Sequence, residues 1–221
     1  MPTEHHIEIR RSARYFTLGD EARPRDVWFV LHGYGQLAER FVSKFAPLDD
    51  GHRLFVAPEA LSRHYVEGKG GPESRVGGSW MTREDRMAEM ADYVRYLDAV
   101  HDEVFAHARR GAVRLSVLGF LQGAATAARW VLQGQGRVDR VVLWAGLLPP
   151  DVDPQTQADR LNALDLVLVA GDGDDGVAAG LPLTRAALDA AGVRYRVVTF
   201  PGGHELDGGT LTKVVGGDVT R

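Results

Sequence analysis

The apolar positions of this chain fall into two recurring patterns. Val27–His32 (VWFVLH) runs apolar without a break up to its histidine, the pattern of a strand covered on both faces. Leu54–Ala57, Arg114–Gly119, Val141–Ala145, Leu166–Ala170 and Arg196–Phe200 are short runs that also predict strands. Between them lie stretches with apolar residues three and four apart. These predict helices over Glu39–Phe45, from Thr82 to near Arg109-Arg110-Gly111, over Gln122–Leu132, and over Pro182–Ala191 with Gly192 as its stop. In the longest of them Met87, Met90/Ala91, Val94, Leu97, Val100/His101 and Val104, recurring three and four apart, carry the apolar face. Thr82 with Asp85 three residues later predicts a capping-box-like start. His5–Arg10 and Arg14–Leu18 alternate weakly and predict two N-terminal strands, arranged as a hairpin. Residues 59–81 read as an irregular glycine-rich connection, and Leu211–Val215 as a short tail helix.

Strands alternating with helices predict an α/β fold: a mostly parallel central sheet, antiparallel strands at its N-terminal start, and helices on both faces. No linker, repeat or low-complexity segment divides the 221 residues, so one domain over 1–221 is expected. Apolar residues make up 44 % and charged residues 25 %, which excludes a disordered chain. The net charge of −4 argues against binding to nucleic acid or an anionic membrane through bulk charge. With no cysteine, disulfides, cysteine-ligated zinc and thiol catalysis are excluded. No apolar run approaches the ~18 residues of a membrane span. The polar N-terminus MPTEHHIEIRR has no signal-peptide core, so the cytoplasm is the expected compartment.

In a parallel sheet, ligands sit beyond the carboxyl ends of the strands. Four strand ends carry candidate chemistry. After the first long strand comes His32-Gly33-Tyr34-Gly35-Gln36-Leu37-Ala38. Three readings stay open there. Gly33–Ala38 fits GxGxxA, a dinucleotide fingerprint, with Glu59 at the end of the next strand as a ribose ligand. The same loop suits an oxyanion hole, and it is also an ordinary tight turn. Gly119-Phe120-Leu121-Gln122-Gly123 has the frame of the nucleophile elbow G-x-S-x-G between a strand and a helix, unless the spacing is chance. Its central residue is leucine, which has no lone pair and no acidic proton. Gly171-Asp172-Gly173-Asp174-Asp175-Gly176 reads by itself as a turn or helix cap. Pro201-Gly202-Gly203-His204 places a histidine, the usual general base near neutral pH, on a loop at the ligand side.

Taken together, LHGYG, GFLQGAA, the GDGDDG loop and PGGHELD resemble the phospholipase/carboxylesterase branch of the α/β-hydrolases, which includes the acyl-protein thioesterases. Elbow, acid, histidine is the order of triad members in that fold. The resemblance covers Val27 to the C-terminus, and it implies an α/β-hydrolase fold, hydrolysis of carboxylic esters and some thioesters, and no cofactor or metal. It further implies a small acyl ester or other apolar ligand as partner, and homodimers. Position by position it puts Leu121 at the nucleophile, Asp174 at the acid (Asp172 and Asp175 as lesser candidates) and His204 at the base. The N–H groups of Tyr34 and Gln122 fall at the oxyanion hole, and Trp80 and Arg75 at the substrate pocket. Of the nearby hydroxyls, Ser116 lies inside the predicted strand and Thr126 one turn up the predicted helix, neither within reach of the oxyanion site, while the position of Ser79 stays open. A Ser-His-Asp mechanism lacking its serine predicts an inactive or severely impaired enzyme. The alternatives are a binding protein that kept the pocket, weak hydrolysis by a water activated on His204, and a dinucleotide-dependent oxidoreductase.

Overall fold

The computed structural model describes residues 1–66, 73–106 and 113–217. In chain order the elements are β1 (Tyr15–Gly19), β2 (Asp26–Leu31), α1 (Ala38–Val42) running into a 3-10 turn (Ser43–Leu48), β3 (Arg53–Pro58), β4 (Ser62–Tyr65) and β5 (Val76–Ser79). They continue with α2 (Arg86–Phe105), β6 (Arg114–Phe120), α3 (Gln122–Gln133), β7 (Arg140–Trp144), α4 (Ala158–Asn162) and β8 (Asp165–Gly171). The last are α5 (Asp175–Ala178), α6 (Leu181–Ala190), β9 (Tyr195–Phe200) and α7 (Gly208–Gly216).

Seven strands form one sheet in the order β1-β3-β2-β6-β7-β8-β9. All neighbours are parallel except β1, which pairs antiparallel with β3. The strands in the middle are apolar at nearly every position because both faces are covered. Val27, Phe29 and Leu31 of β2 point into one core with Val117, Val141, Leu143, Leu166 and Leu168, under α2, α3, α4 and α6. Trp28 and Val30 point the other way, to Leu118, Phe120, Val142, Trp144 and Val169, under α1, α5 and α7. Each large side chain so buried stabilises the fold by roughly 1.5–3 kcal/mol.

Four local expectations are corrected. Residues 5–10 form no strand: Ile7 and Ile9 are 85 % and 76 % exposed, so nothing packs on the alternating face, and β1 pairs with β3 instead of forming a hairpin. The helix expected to Phe45 stops at Val42 and tightens to 3-10 geometry, because Pro47 lacks an N–H and its ring crowds the Ser43 carbonyl. Thr82 and Asp85 form no capping box; Glu89 accepts from the Thr82 N–H at 2.5 Å, and Asp85 sits at φ 44°. Within residues 59–81, β4 and β5 pair as a small antiparallel sheet tied to the loop after β2 by a Gln36–Gly78 bridge. Gly192 ends α6 at φ 66°, as expected. The end expected for α2, at Arg109–Gly111, lies outside the described residues. Among the described residues no helix is long and apolar enough to cross a membrane.

Candidate active site

At the carboxyl edge of the sheet, β6 ends at Phe120 and α3 begins at Gln122. Leu121 alone makes the turn, at φ 58° and ψ −120°. A residue with a Cβ held there costs roughly 1–3 kcal/mol. The surroundings enforce the conformation: the Leu121 N–H donates to the Trp144 carbonyl at 3.0 Å, and its carbonyl accepts from the Ala124 N–H at 3.0 Å. The turn is so tight that a Cβ on Gly123 would strike the carbonyls of Leu31 and His32. The leucine side chain lies across the loop after β2, its Cδ1 2.8 Å from where a Gly33 Cβ would stand.

That loop is held from several sides. His32 is fully buried. Its Nδ1 donates to the Gly33 carbonyl at 2.8 Å and its Nε2 accepts from the Ala60 N–H at 3.1 Å, the neutral tautomer. The Gly33 N–H donates to Gln36 Oε1 at 2.9 Å, and Gly35 and Gln36 pair with Gly78 on β5. The Gln122 side chain joins the elbow to the same hairpin: its Nε2 donates to the Met81 carbonyl at 2.7 Å and its Oε1 accepts from the Trp80 N–H at 2.8 Å. The backbone N–H groups of Tyr34 and Gln122 take no partner among the described residues. They are donors available to a ligand oxygen.

Burial pushes the His32 imidazole below its ordinary value, outweighing the Gly33 carbonyl and Glu59. The sign follows. Below about pH 6.5 the unfolded chain binds a proton at His32 that the folded chain resists, so stability is present above that pH and is lost as pH falls. The urea midpoint is expected to fall between about pH 7 and 5, and the fall to shrink in His32→Gln, which keeps an acceptor for Ala60. An unchanged pH slope in the variant would show that His32 does not contribute.

Asp174 is 4 % exposed and stands at the start of α5, where Oδ1 accepts from the Val177 N–H at 3.3 Å. Its Oδ2 is 2.7 Å from His204 Nδ1. Asp172 accepts instead from the Gly202 N–H at 3.1 Å, and Asp175 is exposed as the first residue of α5. Two further bonds fix the histidine loop: Gly173 N–H to the Gly202 carbonyl, and Trp144 Nε1 to the Glu205 carbonyl, both at 2.8 Å. The imidazole ring lies 5.9 Å from that of Phe120, the residue before Leu121. With Nδ1 facing the carboxylate, Nε2 is the nitrogen left for chemistry.

Other expected site residues are placed differently. Trp80 is 3 % exposed; its Nε1 donates to the His32 carbonyl at 2.8 Å and its ring packs on His32 and Tyr93. It supports the loop from inside. Arg75 is exposed and rims a small cavity with Gly35 and Gln36. Ser116 and Thr126 are buried, and Ser79 Oγ donates to the Met81 carbonyl at 2.9 Å. Glu59, the acid required by the dinucleotide reading, is 2 % exposed and held by Arg14 at 2.7 Å and Arg63 at 3.0 Å. It has no freedom to take a ribose hydroxyl. Among the described residues one group, Glu4, His6 and Asp85, has metal-ligand proximity, and all three are exposed and outside these loops.

An ion pair missed by sequence reasoning holds α3 behind the elbow. Arg129 is 4 % exposed; its Nε and Nη2 donate to the two oxygens of Asp151 at 2.8 and 2.6 Å. Arg129 keeps the Asp151 carboxyl below its ordinary range. Removing one partner strands a buried charge, so Asp151→Ala is expected to lower stability by about 3 kcal/mol, read from urea unfolding. A loss under about 1 kcal/mol would mean that water reaches Arg129.

No family model matches the sequence, and no curated protein matches it. Solved structures do match. The chain superposes on acyl-protein thioesterase 2 of Zea mays with a TM-score of 0.70 at 18 % identity, covering 95 % of this chain and 100 % of that one. A carboxylesterase from Mesorhizobium loti gives 0.63 at 20 %, covering 93 % and 95 %. A Bacillus cereus carboxylesterase gives 0.64 at 15 %, covering 91 % of each. The mixed, mostly parallel seven-stranded sheet with helices on both faces, alike over nearly the whole chain, is the α/β-hydrolase fold.

Proposed function

We propose that this chain is a carboxylic-ester hydrolase of the phospholipase/carboxylesterase type, with thioesters as related substrates, in which Leu121 occupies the nucleophile position. In this reading 1–221 is one unit. Asp174 orients His204, His204 Nε2 handles the proton, and the N–H groups of Tyr34 and Gln122 take the oxyanion. The chain as it stands binds an acyl ligand and is severely impaired in turnover.

The observation that carries the reading is the backbone of Leu121. A non-glycine residue held at φ 58° between a strand and a helix is the geometry that lifts a nucleophile above the sheet. An aliphatic side chain at that point gains nothing from the strain. Leucine forms no acyl-enzyme. Its Cδ1 also lies against Gly33, beside the donors a scissile carbonyl would need. A water on His204 Nε2 gives a slower route that bypasses the covalent step.

Hydrolysis of p-nitrophenyl butyrate by the chain and by Leu121→Ser tests the reading. Near-background turnover for the first and a large gain for the second are expected. Ordinary esterase rates with leucine in place would mean that the nucleophile lies elsewhere.

A further inference from the structure

A cavity of about 110 Å³ opens beside the loop that carries the Tyr34 N–H, with Gly35 and Gln36 in its wall. Its apolar lining is Leu37, Phe41 and Val76, and Phe41 is 1 % exposed. Arg40, Lys44 and Arg75 complete it, and among the described residues no acidic side chain lines it. Arg40 and Lys44 are four residues apart where α1 runs into the 3-10 turn, so they lie on one face. Neither makes an ion pair or side-chain hydrogen bond among the described residues. Glu59, the buried carboxylate just after β3, is taken up by Arg14 and Arg63 and accepts from the N–H of Ala38 at the start of α1.

Two like charges on one helical face repel. Here the space between is a cavity with a greasy lining. We propose that this cavity binds a small organic anion, a carboxylate on a short apolar chain, through Arg40 and Lys44. The volume holds only a few waters' worth of ligand, which suits about three or four carbons and excludes a fatty chain. The apolar lining separates this ligand from inorganic phosphate, whose oxygens would lose water against Leu37, Phe41 and Val76 without replacement bonds. The cations separate it from a neutral alcohol of the same size. Because Gly35 and Gln36 belong to both the wall and the loop, the occupant touches the segment next to the Tyr34 N–H.

The inference does not depend on chemistry at Leu121, and its test uses the chain with leucine in place. Sodium butyrate, n-butanol and inorganic phosphate are titrated separately into the protein, with binding followed by calorimetry. Butyrate is expected to bind at least about tenfold more tightly than either comparator, and more weakly as salt is raised. The double variant Arg40→Gln/Lys44→Gln is expected to lose about tenfold or more in butyrate affinity. Both residues are exposed, and an unchanged urea midpoint establishes that the variant is folded. Butanol binding as tightly as butyrate would make the cavity an acyl pocket. Phosphate binding as tightly would make it a bare charge site. No butyrate binding, or undiminished binding by the double variant, overturns the proposal as well.

Discussion

Leu121→Ser is expected to raise p-nitrophenyl butyrate turnover by at least about 10³-fold. The estimate rests on what a triad serine contributes elsewhere: in subtilisin its removal costs about 10⁶-fold, with residual catalysis from the oxyanion hole and binding. The gain here is set lower because Leu121 Cδ1 fills space against Gly33 that a serine leaves empty. Three observations favour rescue. The backbone at 121 is already at φ 58° and ψ −120°, so serine enters without remodelling the chain. Truncation at the γ position withdraws the Cδ1 atom that abuts Gly33 and opens room beside Tyr34 and Gln122. The Asp174–His204 bond, at 2.7 Å, already stands. Leu121→Ala separates the two effects of the change: it clears the same space and supplies no nucleophile, so it is expected to stay near background. If alanine gains as much as serine, the active species is a water on His204. If neither gains, the binding-protein reading takes over.

The sheet was legible because its middle strands are continuous apolar runs, a pattern that only a doubly covered parallel strand requires. The elbow was legible for a steric reason: Gly119 and Gly123 flank a turn in which a Cβ has no room. The β4–β5 hairpin was not. Ser-Arg-His-Tyr and Val-Gly-Gly-Ser carry no apolar alternation, and Gly78 of β5 is held besides by Gly35 and Gln36, far away in sequence. Ile7 and Ile9 show the converse, an alternation with no surface to cover it. Trp80 looked like a pocket wall because its loop position says nothing about which way an indole turns. The structure turns it inward, where its N–H meets the His32 carbonyl. The Gln122 side chain carried no signal; its partners at Trp80 and Met81 are set by tertiary structure alone. His32 was not readable either: surface and structural histidines look alike in sequence, and its partners, the Gly33 carbonyl and the Ala60 N–H, are set by the fold.

In the Leu121→Ser background, Asp174→Asn is expected to cost about 10⁴-fold in turnover, the size of effect seen for the equivalent change in a Ser-His-Asp protease. The reason lies in which ring nitrogen carries the proton. An ionised carboxylate only accepts, so Oδ2 at 2.7 Å from Nδ1 requires an N–H on Nδ1 and leaves the Nε2 lone pair to take the serine proton. An asparagine can turn its NH2 group to Nδ1. The imidazole then holds its proton on Nε2, where it cannot act as base. Asparagine also removes the charge that stabilises the imidazolium formed during attack. The fold should survive, because an amide oxygen can still accept from the Val177 N–H at the start of α5. Asp172 and Asp175 serve as internal comparisons: neither faces His204, so Asp175→Asn should leave turnover within about twofold, and Asp172→Asn keeps an acceptor for the Gly202 N–H. A loss of less than about tenfold for Asp174→Asn, with stability intact, would show that the carboxylate does not set the tautomer and that its bond to His204 only anchors the loop.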